Sequence, residues 1–109
     1  MFPTLFSPFA LKGLTLKNRI ASTPHSDGMA EDGLATERLM AYFQAKAAGG
    51  VGLVMGPAGC AVHATSPTRA GGLELYRPET AAGLARLVQT VHVAGAAYIP
   101  QAHTLGTPR

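Results

Sequence analysis

The feature that most constrains this chain is a short apolar run, Val51-Gly52-Leu53-Val54-Met55, set between Gly49-Gly50 and Gly56-Pro57. A run without polar alternation has no face to give to water, so it is expected as a parallel strand buried on both sides. Parallel strands cannot be joined by tight turns and need long crossovers, usually helices. The flanking sequence supplies both. Upstream, Thr36 suits an N-cap, Glu37 favours the positive end of a helix, and Leu39, Tyr42, Phe43 and Ala47 recur at helical spacing until Gly49-Gly50. Downstream, Pro78 opens a second helix with Glu79 in its first turn, and Leu84, Leu87, Val88, Val91 and Ala94 form its apolar stripe before Gly95.

Two further strands complete the pattern. Residues 19–23 form a short extended stretch that stops at Pro24, and residues 96–101 form a third buried strand with Pro100 tolerated near its end. The order β-α-β-α-β predicts a parallel sheet with right-handed crossovers. Residues 5–17, with Leu11, Leu14 and Leu16 around Lys12-Gly13, read as a hairpin or extended entry segment that acts as a structural lid. Residues 56–77 carry Pro57, Pro67 and Gly71-Gly72 with no clear period, which predicts a long loop of the kind that carries function.

Half of a doubly wound nucleotide-binding sheet and the opening of a (β/α)8 barrel share this order. A dinucleotide fold would show Gly-x-Gly-x-x-Gly between the first strand and helix, but that turn reads Pro24-His25-Ser26-Asp27-Gly28. A full barrel takes about 250 residues, and the chain has 109. The expectation is therefore an α/β fold in which residues 1–109 form the N-terminal segment, about three βα units, of a (β/α)8 TIM barrel that is incomplete in this chain. Unpaired strand edges would then favour self-association or a homo-oligomer.

Composition narrows the partners. Nine Lys and Arg against six Asp and Glu are scattered without a basic run, which argues against a nucleic-acid face. One cysteine allows no internal disulfide, the amino terminus lacks a secretory pattern, and no apolar stretch nears the roughly 20 residues of a membrane span. A cytoplasmic protein that binds a small-molecule substrate, with neither membrane nor nucleic acid as partner, is expected.

In both architectures ligands gather at the carboxyl ends of the strands. Three segments stand there: Thr23-Pro24-His25-Ser26, Gly56-Pro57-Ala58-Gly59-Cys60 and Gln101-Ala102-His103-Thr104. Cys60, His63, His25 and His103 could converge as metal ligands of a barrel hydrolase. Against this, loop histidines are commonly solvated or hydrogen-bonded, and a lone cysteine is commonly a small buried hydrophobe. Asp27, Glu31 and Asp32 read as a solvated acidic loop or a helix cap, and His92 complements a helix dipole. Gln101 has two readings: an amide that satisfies loop backbone, or one that donates to and accepts from a flavin-like heterocycle edge.

Several motifs together carry a resemblance: Leu5-Phe6-Ser7-Pro8, Leu16-Lys17-Asn18-Arg19-Ile20, Thr23-Pro24-His25-Ser26-Asp27-Gly28-Met29, Gly49-Gly50-Val51-Gly52-Leu53 and residues 95–101. In this order and spacing the chain resembles the N-terminal part of the old yellow enzyme family of FMN-dependent NADH:flavin oxidoreductases, in the branch of trimethylamine dehydrogenase, 2,4-dienoyl-CoA reductase and N-methyl amino acid demethylases. The resemblance implies a TIM barrel with FMN at its mouth, hydride transfer through flavin N5, NAD(P)H as reductant, and an iron–sulfur cluster in longer relatives. It implies alkene reduction or oxidative N-demethylation by the whole protein. The isolated chain would be inactive, because the family's substrate-binding pair and proton donor fall beyond residue 109.

Position by position, the resemblance implies that Thr23, Pro24, His25 and Ser26 line the flavin ring, that Pro57 and Ala58 approach it, and that Gln101 bonds its pyrimidine side. Ser26 stands where relatives carry Thr or Cys, which implies a non-covalent flavin. The family reads Gln-x-x-His-x-Gly-Arg after the third strand, whereas here the residues are Gln101-Ala102-His103-Thr104-Leu105-Gly106-Thr107, with Thr107 in place of the arginine. A non-catalytic remnant that serves as an interaction module is the remaining alternative.

Overall fold

The computed structural model describes residues 1–66 and 68–104. An antiparallel hairpin of β1 (Phe9–Leu11) and β2 (Leu14–Leu16) comes first, turning through Lys12 and Gly13, both at positive φ (43° and 80°) as a tight two-residue hairpin turn requires. Then follow β3 (Ala21–Ser22), α1 (Glu37–Ala48), β4 (Leu53–Met55), β5 (Cys60–Ala61), α2 (Thr80–Val93), β6 (Ala97–Ile99) and β7 (Ala102–His103). Strands β3, β4 and β6 form a parallel sheet in that order, with Ala21 beside Leu53 beside Ala97 and Ser22 beside Val54 beside Tyr98. Helices α1 and α2 are the crossovers, so the predicted β-α-β-α-β order holds and the fold is α/β.

Alternation along the strands decides which side meets the helices. Ser22 Oγ accepts from Lys46 Nζ at 2.9 Å, Val54 is fully buried, and the Tyr98 ring meets Phe43 edge-on with centroids 6.1 Å apart. These register partners face the helix layer, where Leu39, Phe43 and Ala47 of α1 and Leu87 and Val91 of α2 build the core. Thr36 caps α1 as predicted, its hydroxyl accepting from the Leu39 N–H at 3.1 Å.

The opposite face departs from the expectation of burial on both sides. Ala21 and Ile99 are exposed there, and Leu53 is covered by the hairpin, which closes a hollow of about 290 Å³ with Phe9, Leu11, Leu16, Arg19 and Ile20. This places the predicted lid at the amino-terminal end of the sheet. Asn18 fastens that end: its Nδ2 donates to the Gly50 carbonyl at 2.7 Å while its Oδ1 accepts from the Ile20 N–H at 3.1 Å. Gly52 is needed beside it, since a Cβ there would stand 2.6 Å from Asn18 Oδ1 and 2.7 Å from its carbonyl oxygen.

Other elements differ in extent. The first parallel strand pairs over Ala21–Ser22 rather than 19–23: the Arg19 N–H donates to Leu5 O and the Ile20 N–H to Asn18 Oδ1, while Ile20 O accepts from the Gly52 and Leu53 N–H groups leading into β4. Helix α2 begins at Thr80, two residues after Pro78; Thr80 Oγ1 donates back to Glu74 O and holds Pro78 and Glu79 in the preceding turn. The segment 56–77 is not wholly loop. It contains β5, which pairs with β7 in parallel, and its Ala61 N–H donates to Leu73 O, folding the segment back on itself. Asp27 is half-buried instead of solvated, with Oδ1 accepting from the Met29 N–H at 3.1 Å. Among the described residues no helix is long and apolar enough to cross a membrane.

Candidate functional site

Backbone hydrogen bonds lace the three segments that follow β3, β4 and β6 into one surface. The Ala58 N–H donates to His25 O at 3.0 Å, the Gln101 N–H to Pro57 O at 3.4 Å, and the Cys60 N–H to Gln101 O at 3.2 Å. The β5–β7 pair, with Cys60 beside Ala102 and Ala61 beside His103, continues the lacing outward. A cleft of about 310 Å³ results, lined by Ser26, Ala58, Gly59, Arg69, Gln101 and His103. A second hollow of about 240 Å³ adjoins it between residues 26–28 and 69–72, sharing Ser26, Ala58 and Arg69.

Glycine shapes this floor. Gly59 takes φ +78°, and around the place where its Cβ would stand lie His103 Cε1 and Thr68 Oγ1 at 3.6 Å and Ser26 Oγ at 3.7 Å. Gly71, at φ +83°, approaches Gly28 so closely that a Cβ would meet the Gly28 Cα at 2.5 Å. Both positions need a residue without a side chain.

The expected site residues divide into four groups. Ser26, Ala58 and Gln101 line the cleft together, and the Gln101 side chain is exposed. Pro57 is buried beneath them, after a cis peptide bond, its carbonyl accepting from Gln101 N–H and from the Cys60 thiol at 3.3 Å. Thr23 is exposed, Pro24 is half-buried, and neither borders the cleft. The His25 ring turns toward α1, its Nε2 2.7 Å from the Tyr42 hydroxyl, so only its backbone reaches the laced surface.

The proposed metal set does not assemble. His25 engages Tyr42, His63 Nδ1 accepts from the Thr65 N–H at 3.2 Å, and the Cys60 thiol donates to Pro57 O. Among the described residues no three His, Cys, Asp or Glu side chains come together as a cation site. Burial, aided by the nearby Asp27 carboxylate, pushes the Cys60 thiol up to about 11, so it stays protonated as a buried apolar group rather than a thiolate ligand.

Among the described residues, three buried polar atoms lack a partner: Asp27 Oδ2, the Tyr98 hydroxyl and His103 Nδ1. Burial first, then Cys60 and Asp27, raises the Tyr98 phenol above its ordinary range. Sequence reasoning placed Gly59 in a strand-end segment but missed Arg69 as a cleft residue. Both lie in the segment 56–77, whose length marked it as functional, but its return beside β7 depends on the β5 pairing and leaves no periodic signal. Thr107, which stands in place of the family's arginine after the third strand, lies outside the described residues.

Comparison with known proteins identifies the family and the fold. The sequence profile of the NADH:flavin oxidoreductase / NADH oxidase family matches residues 4–108. The chain is 38% identical over 102 residues to a probable N-methylproline demethylase of Rhizobium meliloti, covering 94% of this chain and 15% of that protein. It is 41% identical over 94 residues to an NADPH dehydrogenase of Listeria monocytogenes, covering 84% of this chain and 28% of that protein. Among solved structures it superposes on a 2-naphthoyl-CoA reductase with a TM-score of 0.91 at 25% identity, over 97% of this chain and 16% of that one. The old yellow enzyme of Pichia sp. AKU4542 shares the fold at a TM-score of 0.84 and 24% identity, over 94% of this chain and 27% of that one. The chain thus spans between about a seventh and somewhat over a quarter of these relatives. With the profile matched along nearly its whole length, the chain belongs to the NADH:flavin oxidoreductase / NADH oxidase family.

Proposed function

We propose that the chain forms the opening βα units of a (β/α)8 barrel and supplies one wall of its FMN site, in an oxidoreductase acting on an activated alkene or an N-methylated amine. The observation that carries this reading is the lacing of the three strand-end segments into one cleft with Ser26, Ala58 and Gln101 on its surface. Carboxyl ends of parallel strands are where barrels bind their ligands.

The residues present fit a flat heterocycle edge. Ala58 and Gly59 raise no bulk against a planar ring, Ser26 offers a hydroxyl, Gln101 offers a donor and an acceptor, and His103 Nδ1 has no partner among the described residues. FMN, when bound, supplies hydride transfer at N5, with NAD(P)H as its reductant. The chain's own residues hold and orient. Thr23, Pro24 and His25 contribute main chain along one edge, since the His25 ring is engaged by Tyr42. Pro57 and Ala58 form the floor, and the Gln101 amide pairs with the pyrimidine side. Ser26 offers a neutral hydroxyl, which supports non-covalent binding. Relatives named as a probable N-methylproline demethylase, a multifunctional alkene reductase/demethylase and an N,N-dimethylglycine/sarcosine dehydrogenase support the two substrate classes.

The test is flavin retention, read as visible absorbance that co-elutes with protein. It is made on the chain itself and on a chimera in which residues 1–104 replace the matching segment of the Listeria NADPH dehydrogenase. The chimera is expected to retain FMN, and Gln101→Ala to weaken it by about tenfold, as loss of one or two hydrogen bonds predicts. A folded chimera without flavin, or one indifferent to Gln101→Ala, overturns the assignment.

A further inference from the structure

Arg69 stands where the two hollows of the cleft join; its carbonyl accepts from the Gly72 N–H at 3.0 Å, but among the described residues its guanidinium makes no hydrogen bond or ion pair. Its fellow arginines are mostly engaged: Arg19 with Ser7 and the Phe9 ring, Arg77 with Glu74, Asp32 and Glu79, and Arg86 with Glu37. Arg38 is also unpaired but does not line the cleft. Among the described residues no carboxylate borders the larger hollow, whose polar groups are Ser26, Arg69, Gln101 and His103. Asp27 borders only the smaller one, forms no ion pair with Arg69, and spends Oδ1 on the Met29 N–H while Oδ2 is buried. The cleft therefore presents an unneutralised planar cation beside neutral donors.

From this arrangement we infer that Arg69 is the specificity-determining residue that binds the carboxylate of the substrate. The inference rests on the proposed flavin site, because it gives the occupant of the cleft beside the ring a carboxylate. A guanidinium presents parallel N–H groups that match a carboxylate in a bidentate pair, and a pair of this kind fixes orientation as well as affinity. An N-methylated amino acid held by its carboxylate at Arg69 would be oriented relative to the cofactor wall formed by Ala58 and Gln101. A phosphate on a reduced nicotinamide is the competing anion.

The test follows the Arg69 Nε–Hε resonance of the isotope-labelled chain during titration with N-methylproline, N-methylproline methyl ester and inorganic phosphate. N-methylproline is expected to shift the resonance saturably and the ester to leave it unmoved. Arg69→Gln should weaken acid binding about ten- to hundredfold, reported by the neighbouring backbone amides, with Arg69→Lys intermediate. Unchanged amide spectra elsewhere certify that the variants fold. Equal response to acid and ester, response to phosphate alone, or acid binding indifferent to Arg69→Gln overturns the inference. FMN retention is read separately in the chimera, so failure of the flavin assignment with carboxylate binding intact, or the reverse, is distinguishable.

Discussion

Replacing Asn18 by alanine removes two hydrogen bonds with one side chain, and the structure fixes what is left behind. The Gly50 carbonyl loses its 2.7 Å donor and the Ile20 N–H its 3.1 Å acceptor, at a residue that is only 6% exposed. A buried group left without a partner costs about 1–3 kcal/mol. Both partners are half-buried, so water recovers part of each loss and the sum falls near 2–4 kcal/mol. Against the roughly 5–15 kcal/mol of a small domain, that is a large fraction. Near 100 residues it lowers the thermal midpoint by about 10–30 °C. Asn18→Asp is expected to be at least as damaging, because it keeps the acceptor for Ile20 but sets an oxygen against the Gly50 carbonyl. Denaturant titration followed by circular dichroism measures both. An alanine variant within about 0.5 kcal/mol of the parent, or an aspartate variant clearly more stable than alanine, would refute the clasp as described.

Two further outcomes are expected. The Cys60 thiol has its folded value raised from 9.0 to about 11, so the folded state binds more protons than the unfolded one in that range; its contribution is complete below about pH 9 and lost as pH climbs to 11. Cys60→Ala should flatten the fall in stability between those pH values, and a slope identical to the parent's would contradict the burial argument. Gly71→Ala forces a Cβ to 2.5 Å from the Gly28 Cα and a side chain into φ +83°, a conformation costing about 1–2 kcal/mol before the clash is relieved. Faster amide exchange at Ala30, whose N–H donates to Gly71 O, is the signature to look for, and unchanged exchange would count against the close approach.

What could be read from the sequence was what repeats. The apolar run at 51–55, the Thr36 cap and the stripe from Leu84 to Ala94 each express a local rule, and each became the expected element. The convergence of Ser26, Ala58 and Gln101 followed from strand order alone, since parallel neighbours bring their carboxyl ends together. Side-chain direction was not legible. His25 follows a strand as a ligand would, yet a partner seventeen positions away, Tyr42, draws its ring to the helix layer. Arg69 and the β5–β7 pair were hidden because two-residue strands carry no period, and their pairing depends on a register set elsewhere. The half-buried Asp27 was misread because its neighbours are polar, while its enclosure comes from segments distant in sequence.

The register of the parallel sheet also bears on the order of events when the chain acquires its shape. Ser22 must find Val54, and Leu53 must find Ala97, partners more than thirty and more than forty positions apart. Neither pairing returns energy until its intervening loop has closed, whereas α1, α2 and the β1–β2 hairpin draw on neighbours close along the chain. Helices and hairpin can therefore come and go quickly, while the sheet condenses last and sets the pace. Because the laced strand ends exist only once that sheet has condensed, the binding surface is the final part of this chain to form.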